Sequence, residues 1–155
     1  MIKPEKIHLI RTDSRNPEFQ NLVHRLDEEL AIRDGPQHGF YHQFNGLKGL
    51  DRVVLVLNNG LPVGCGALKE FEPGVLEVKR MFTNPEHRGQ GLAGRLLAEL
   101  EHWALEDGYS RIVLETGRRQ PEAIGLYQKH GYLKTENYGH YKGVDNSVCF
   151  EKKLN

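Results

Sequence analysis

A chain of 155 residues has the size of one domain, long enough to bury a real core and short for two. Its 21 basic and 21 acidic side chains cancel, so no broad field draws it to a nucleic-acid backbone or an anionic membrane, and a small, local ligand is favoured. The opening MIKPEKIHLIRTD has no apolar core of signal-peptide length, and no run of about 18 apolar residues exists, which reads as a soluble cytoplasmic protein without a membrane partner.

The elements follow in chain order. Lys6 to Arg11 reads as a first strand; Asn16-Pro17 then offers an N-cap followed by Pro at the first helical position. Phe19, Leu22, Val23, Leu26 and Leu30 form a helical stripe that fades at Asp34-Gly35. The stretch 35–49 fits no period and is expected to be a loop with room for a short helix. Arg52 to Leu57 and Pro62 to Glu70 are strands joined by the hairpin residues Asn58-Asn59-Gly60, and the turn Glu72-Pro73-Gly74 leads into Val75 to Thr83. Three antiparallel strands in a meander result. Leu92, Leu96, Leu97, Leu100, Trp103 and Ala104 mark a second helix ending at Asp107-Gly108. Arg111 to Glu115 is a short buried strand, Pro121 to His130 a helix, and Tyr132 to Glu136 and Ser147 to Lys152 the last two strands. Cys65 and Cys149, far apart and each in an apolar stretch, read as buried reduced thiols.

Between the fourth of these β-runs and the second helix lies GQGLAG, which spells the G-x-G-x-x-G of a dinucleotide turn, with Glu115 where a ribose-binding acid would sit. The context disagrees. A Rossmann turn starts almost at the strand end, whereas Thr83-Asn84-Pro85-Glu86-His87-Arg88 intervenes here, Pro85 cannot sit inside a strand, and the preceding meander is the wrong topology. The phosphate reading survives in another form: N–H groups from Arg88 to Gly94 run into the first turn of a helix, where unpaired donors and the macrodipole favour an anion. Gly89 and Gly91 let the backbone approach it, Ala93 and Gly94 keep the turn slim, and Arg88 adds a charge.

The segment PEHRGQGLAGRLL, with its R-x-x-G-x-A core at Arg88, Gly91 and Ala93, followed by QPEAIGLYQKHGY, resembles the GNAT superfamily of N-acetyltransferases. The likeness covers Val63 to Tyr132 well, the final strands loosely and the first fifty residues only in element order. One departure is Ala93, where many members have Gly. The resemblance implies an α/β (α+β) fold: a mixed, mostly antiparallel sheet of six to seven strands flanked by about four helices, in one domain over residues 1–155. Two central parallel strands, Val75–Thr83 and Arg111–Thr116, would splay to admit the pantetheine of acetyl-CoA.

Further implications concern chemistry. Acetyl-CoA would lie along Met81, Phe82 and Thr83, where a bulge near the end of the fourth strand offers an N–H to the thioester oxygen. Its pyrophosphate would rest on Arg88, Gly89, Gln90, Gly91, Leu92, Ala93 and Gly94, with Gln120 and Ala123 beside it. Tyr127 matches the general acid for the leaving thiolate, since a phenol stays protonated at neutral pH. Glu77 is the first candidate for the base, with pairing to Lys79 as the plain alternative; Glu115 is the reserve base or a structural acid. Strict alternation puts Glu77, Lys79 and Met81 on one strand face and Leu76, Val78, Arg80 and Phe82 on the other. Acceptor contacts are expected from Arg33, Tyr41, His42, Glu115 and Tyr138, with His38, Phe40, Phe44, His140 and Tyr141 nearby. His38 and His42 lack a third ligand, so no metal is expected. The activity implied is direct acetyl transfer to a small amine or amino-acid-like acceptor, in a possible homodimer. The alternatives are a catalytically weak acyl-CoA-binding module and a protein N-acetyltransferase.

Overall fold

The computed structural model describes residues 6–37, 39 and 46–155. Among them seven strands form one sheet: β1 (Ile7–Thr12), β2 (Arg52–Asn58), β3 (Leu61–Glu72), β4 (Val75–Thr83), β5 (Arg111–Gly117), β6 (Leu133–Thr135) and β7 (Ser147–Lys153), in the order β1-β2-β3-β4-β5-β7-β6. Every neighbouring pair is antiparallel except β4 and β5, which are parallel. Three α-helices accompany them: α1 (Pro17–Asp34), α2 (Leu92–Glu106) and α3 (Pro121–Lys129). None is long and apolar enough to cross a membrane.

Local chemistry sets the helix ends. The Asn16 carboxamide oxygen accepts from the N–H groups of Glu18 and Phe19 at 2.8 and 3.4 Å, so α1 starts where the Asn-Pro signal predicts. At the other end of α2, Gly108 takes φ +86°, the left-handed conformation a helix stop favours. The β2–β3 hairpin turns through Asn59 and Gly60 at φ +52° and +84°, which suits the twist of the strands it joins.

Helices cover both faces of the sheet, which explains why RVVLVL in β2 is apolar throughout instead of alternating. Val53 and Leu55 pack with Phe19, Leu22, Val23 and Leu26 of α1. Val54 and Val56 join Leu96, Leu97 and Leu100 of α2 and Tyr127 of α3 on the opposite face. Full burial of such a side chain stabilises by about 1.5–3 kcal/mol, so the strongest cores lie under β2 to β4. Cys65 and Cys149 are free and buried in this packing.

Candidate active site

The site begins with an interruption of β4. Val78 pairs with Leu68 and Lys79 with Ala67, but the next pair is Phe82 with Cys65, so Arg80 and Met81 together face Gly66. Two residues against one make a β-bulge. Arg80 accommodates it at φ +60°, unusual for a side chain of its bulk. The bulge overturns the expected alternation. Lys79 remains beside Glu77, and Phe82 packs in the α1 core; Met81 packs against the α2 core with Leu76 and Val78, while Arg80 reaches α1. Arg80, Met81 and Phe82 have all changed faces relative to that expectation, because the extra residue shifts the period by one. Gly66 makes room for this: a Cβ there would stand 2.5 Å from the Met81 sulfur.

Beyond the bulge the sheet opens. β4 and β5 pair only from Val75/Arg111 to Glu77/Val113, after which no partner bridges them. A wedge of about 130 Å3 fills the opening, lined by residues that include Glu77, Met81, Glu115, Gln120, Ala123 and Tyr127. The Arg80 carbonyl accepts from the buried Cys65 thiol of β3 at 3.3 Å. All described peptides being trans, the Met81 N–H lies opposite that carbonyl and faces away from β3.

On one side the wedge shares Met81, Gln120, Ala123 and Tyr127 with a cavity of about 410 Å3. Phe82 and Thr83 form one wall of this cavity, and Arg88, Gly89, Gly91, Leu92, Ala93 and Gly94 another. Gln90 is exposed and does not line it. Gly89 and Gly91 take φ +79° and +78°, with nothing within 4 Å of an added Cβ, so glycine is required there by the backbone conformation and not by crowding. At Gly94 the reason is reversed: a Cβ would meet the His130 imidazole at 2.6 Å. The Arg88 guanidinium donates to both Glu29 carboxylate oxygens at 3.0 and 2.9 Å and, through Nε, to the Thr83 carbonyl at 2.8 Å. A cavity lined by a helix N-terminus and two left-handed glycines is of a kind that fits a molecule carrying a phosphate.

On the other side the wedge shares Glu77, Lys79 and Tyr141 with a cavity of about 470 Å3, which Lys48, Lys69, Glu70, Phe71, Tyr138 and His140 also line. Glu77 is buried; its carboxylate accepts from the Tyr138 hydroxyl at 2.6 Å and stands 3.5 Å from the Lys79 ammonium. Lys79 in turn donates to the Tyr141 hydroxyl at 3.1 Å. Burial, and then the charge of Glu77, push the Tyr138 phenol far above its ordinary range, so it stays a donor.

Two further titratable groups of the wedge are held in the neutral form more strongly than in water. Burial above all, and then Glu115 nearby, raise the Tyr127 phenol well above 10. Its ring meets Tyr132 and Phe150 at centroid distances of 5.9 and 6.2 Å, which fixes the hydroxyl. Burial also pushes the Glu115 carboxyl up to about 7, opposed by a hydrogen bond from Ser147 and the charge of Lys79. Its Oε2 is buried without a hydrogen-bond partner among the described residues.

Of the expected acceptor residues, Glu115 and Tyr138 do lie in these connected spaces. Arg33 does not join them: it lines the 410 Å3 cavity and pairs with Glu29 and Glu122. His38, Phe40, Tyr41, His42 and Phe44 lie outside the described residues. Lys69 and Asp34 went unnoticed in the sequence. Lys69 had a signal, because the hairpin register makes it the cross-strand partner of Glu77. Asp34, buried in the wedge wall, had none beyond its place at a helix end.

Comparison with known proteins bears on this geometry. Residues 13–132 match the model of the acetyltransferase (GNAT) family. An IAA acetyltransferase of Azospirillum brasilense is 39% identical over 151 residues, covering 92% of this chain and 97% of that one. Among solved structures, a Klebsiella pneumoniae protein provisionally described as an acyl-CoA N-acyltransferase superposes with a TM-score of 0.81 at 31% identity, over 96% of this chain and 98% of the other. A GNAT family acetyltransferase from Elizabethkingia anophelis with acetyl-CoA bound gives a TM-score of 0.70 at 20% identity, over 96% and 98%.

Proposed function

Because this chain belongs to the acetyltransferase (GNAT) family and is an acyltransferase, we propose that it transfers the acetyl group of acetyl-CoA directly to the amine of a small, amino-acid-like acceptor. One observation carries the reading. A single wedge joins two larger cavities, with Tyr127 at its junction with one and Glu77 at its junction with the other. A cosubstrate entering from one mouth and an acceptor from the other would meet between a proton donor and a carboxylate.

The residues divide the work. The helix N-terminus and the Gly89–Gly91 backbone receive the pyrophosphate of acetyl-CoA, which supplies an activated acetyl thioester. Glu77 takes a proton from the acceptor ammonium, directly or through water, and the freed amine attacks the thioester carbon. The Met81 N–H meets the charge developing on the carbonyl oxygen. As the carbon–sulfur bond breaks, Tyr127 protonates the departing sulfur and is later restored through solvent from Glu77. General acid catalysis of this kind is worth roughly 10² to 10⁴ in rate. Tyr138, donating to Glu77 at 2.6 Å, orients the carboxylate.

Charge supports the amino-acid-like acceptor. Lys69 stands cross-strand from Glu77, and neither Lys69 nor Lys48 enters an ion pair among the described residues. An amine at Glu77 that carries a carboxylate on the next carbon would meet these ammonium groups, and its side chain would meet Phe71 and Tyr138, whose rings stand 4.9 Å apart. Thiol release should therefore be measured with an aromatic amino acid and with its decarboxylated amine. The amino acid is expected to show at least a tenfold higher kcat/KM, about 1.4 kcal/mol, the scale of one charge-assisted contact. Equal or reversed values would remove the amino-acid-like acceptor. Coenzyme binding with no turnover on any amine would reduce the chain to an acyl-CoA-binding module.

A further inference from the structure

The bulge of β4 contains an expensive side chain that the reaction, as derived above, does not use. Arg80 is 5% exposed, stands at φ +60°, and projects onto α1, where Nη2 donates to the Asp27 carboxylate at 2.6 Å and to the Val23 carbonyl at 3.4 Å. Its Nε and Nη1 are buried without hydrogen-bond partners among the described residues. A left-handed conformation at a non-glycine residue costs about 1–3 kcal/mol, and each buried unsatisfied donor about as much again. Stability alone would be served better by glycine at 80 and an apolar residue at 27. An outlier of this kind is kept where the surroundings fix it for another purpose.

Its position supplies the purpose. The Arg80 carbonyl is fastened to Cys65 of β3 and its guanidinium to α1, so the peptide joining Arg80 to Met81 is gripped from two elements. On that peptide rides the Met81 N–H, at the point where β4 has lost β5 as a neighbour. Without a paired strand on that side, nothing in the sheet holds the peptide plane against rotation. Leu26 and Leu30 of the same helix line the wedge, so α1 also fixes where the opening lies relative to that N–H.

We propose that Arg80 is a positioning residue: its ion pair with Asp27 straps the bulge of β4 to α1 and thereby sets the direction of the Met81 N–H in the split. This rests on the reading that the split receives the acetyl thioester. The variants to compare are Arg80→Gly, Arg80→Lys and the neutral pair Arg80→Met with Asp27→Leu. Glycine adopts φ +60° freely, so Arg80→Gly removes the strap while relieving the strain. The neutral pair removes the strap with no orphaned buried charge, an exchange that proteins often tolerate or gain from in stability. Both are expected to keep coenzyme A affinity within about twofold and to lower kcat roughly ten- to a hundredfold, the scale of a misplaced catalytic group. Arg80→Lys, whose ammonium still reaches Asp27, should recover part of the loss. Wild-type kcat in Arg80→Gly and in the neutral pair, or coenzyme affinity falling in step with kcat, would overturn the strap.

A second readout needs no turnover and so separates this proposal from the function it rests on. The 15N order parameter of the Met81 amide should fall from about 0.85, a rigid backbone, toward about 0.6 in the neutral pair, with the amides of β2 unchanged. An order parameter at Met81 equal to that of wild type sinks the strap even if no amine is ever acetylated.

Discussion

On the side of the wedge proposed for the coenzyme, Arg88, Gly89, Gly91, Leu92, Ala93 and Gly94 bring a helix N-terminus and two left-handed glycines to the cavity, so the contact proposed for the pyrophosphate is made by backbone. On the side proposed for the acceptor the polar groups are side chains, gathered from β3, β4 and the segment before β7: Lys69, Glu77, Lys79, Tyr138 and Tyr141. The difference follows from what each ligand offers. A pyrophosphate is the same in every reaction and asks only for N–H groups and a positive helix end, which one local conformation provides. An acceptor is recognised by its particular charges and shape, which needs several side chains at set distances, and only the sheet brings them together.

Tyr127 belongs to neither side alone, and removing its hydroxyl is the strongest way to test where the two halves join. Tyr127→Phe keeps the ring contacts with Tyr132 and Phe150 and deletes only the proton donor. The expected result is a fall in kcat of roughly 10² to 10⁴, about 3 to 5 kcal/mol, with coenzyme A affinity nearly unchanged. Rate and binding lost together would mean that the residue serves the coenzyme cavity only. Steady-state thiol release with calorimetry for coenzyme A separates the two outcomes.

The same contrast explains what could be read from the chain. GQGLAG and its helix are contiguous, so the sequence itself points to an anion site there, while Pro85 and the upstream meander speak against a dinucleotide turn; in the structure Gly89 and Gly91 are left-handed and a short 3-10 turn over Pro85–His87 separates them from β4. Tyr127 and Glu77 were legible only through the family likeness, because their neighbours come from distant segments. The alternation reading failed at Arg80, Met81 and Phe82, since a bulge made by one positive φ leaves no composition signal: Arg is a poor residue for that conformation, and only Gly66 across the strand hints at crowding. Arg33 was assigned to the acceptor by its place at the end of the first helix; the structure has Glu29 and Glu122 hold it at the 410 Å3 cavity, a pairing that joins α1 to α3 across 89 positions of sequence.

Glu115 lies deep between the halves, and its expected effect is next in size. Its carboxyl is raised to about 7 in the fold against 4.5 when exposed, with burial as the main cause. The folded state therefore holds this proton more tightly than the unfolded chain. The sign follows: whatever stability Glu115 contributes is fully present below about pH 4.5, declines as pH rises, and is lost once pH passes 7. Relative to wild type, Glu115→Gln should gain up to about 3 kcal/mol at pH 8 and progressively less toward pH 5. Urea unfolding across that range reads the difference. A gain that does not change with pH would show that the side chain is solvated, and the wedge would then be wetter than its lining implies. In the same variant kcat/KM decides the base: an acidic limb near pH 7 that disappears with Glu115→Gln but persists in Glu77→Gln would transfer the role to Glu115.

The smallest effect tests the backbone half. Gly91 caps α2 at φ +78° with open space around an added methyl group, so Gly91→Ala meets no clash and pays only for the left-handed conformation, about 1–2 kcal/mol. If that conformation aims the helix N–H groups at a pyrophosphate, the cost appears as binding: coenzyme A affinity should fall roughly five- to thirtyfold, while kcat at saturating acetyl-CoA stays within about twofold. Dephosphorylated pantetheine separates the causes, because it keeps the arm that enters the wedge and lacks the pyrophosphate. Its affinity should be the same for wild type and Gly91→Ala. An equal loss for both ligands would place the damage in the wedge and not at the glycine turn, and the division of the site into a backbone half and a side-chain half would fail at its simplest point.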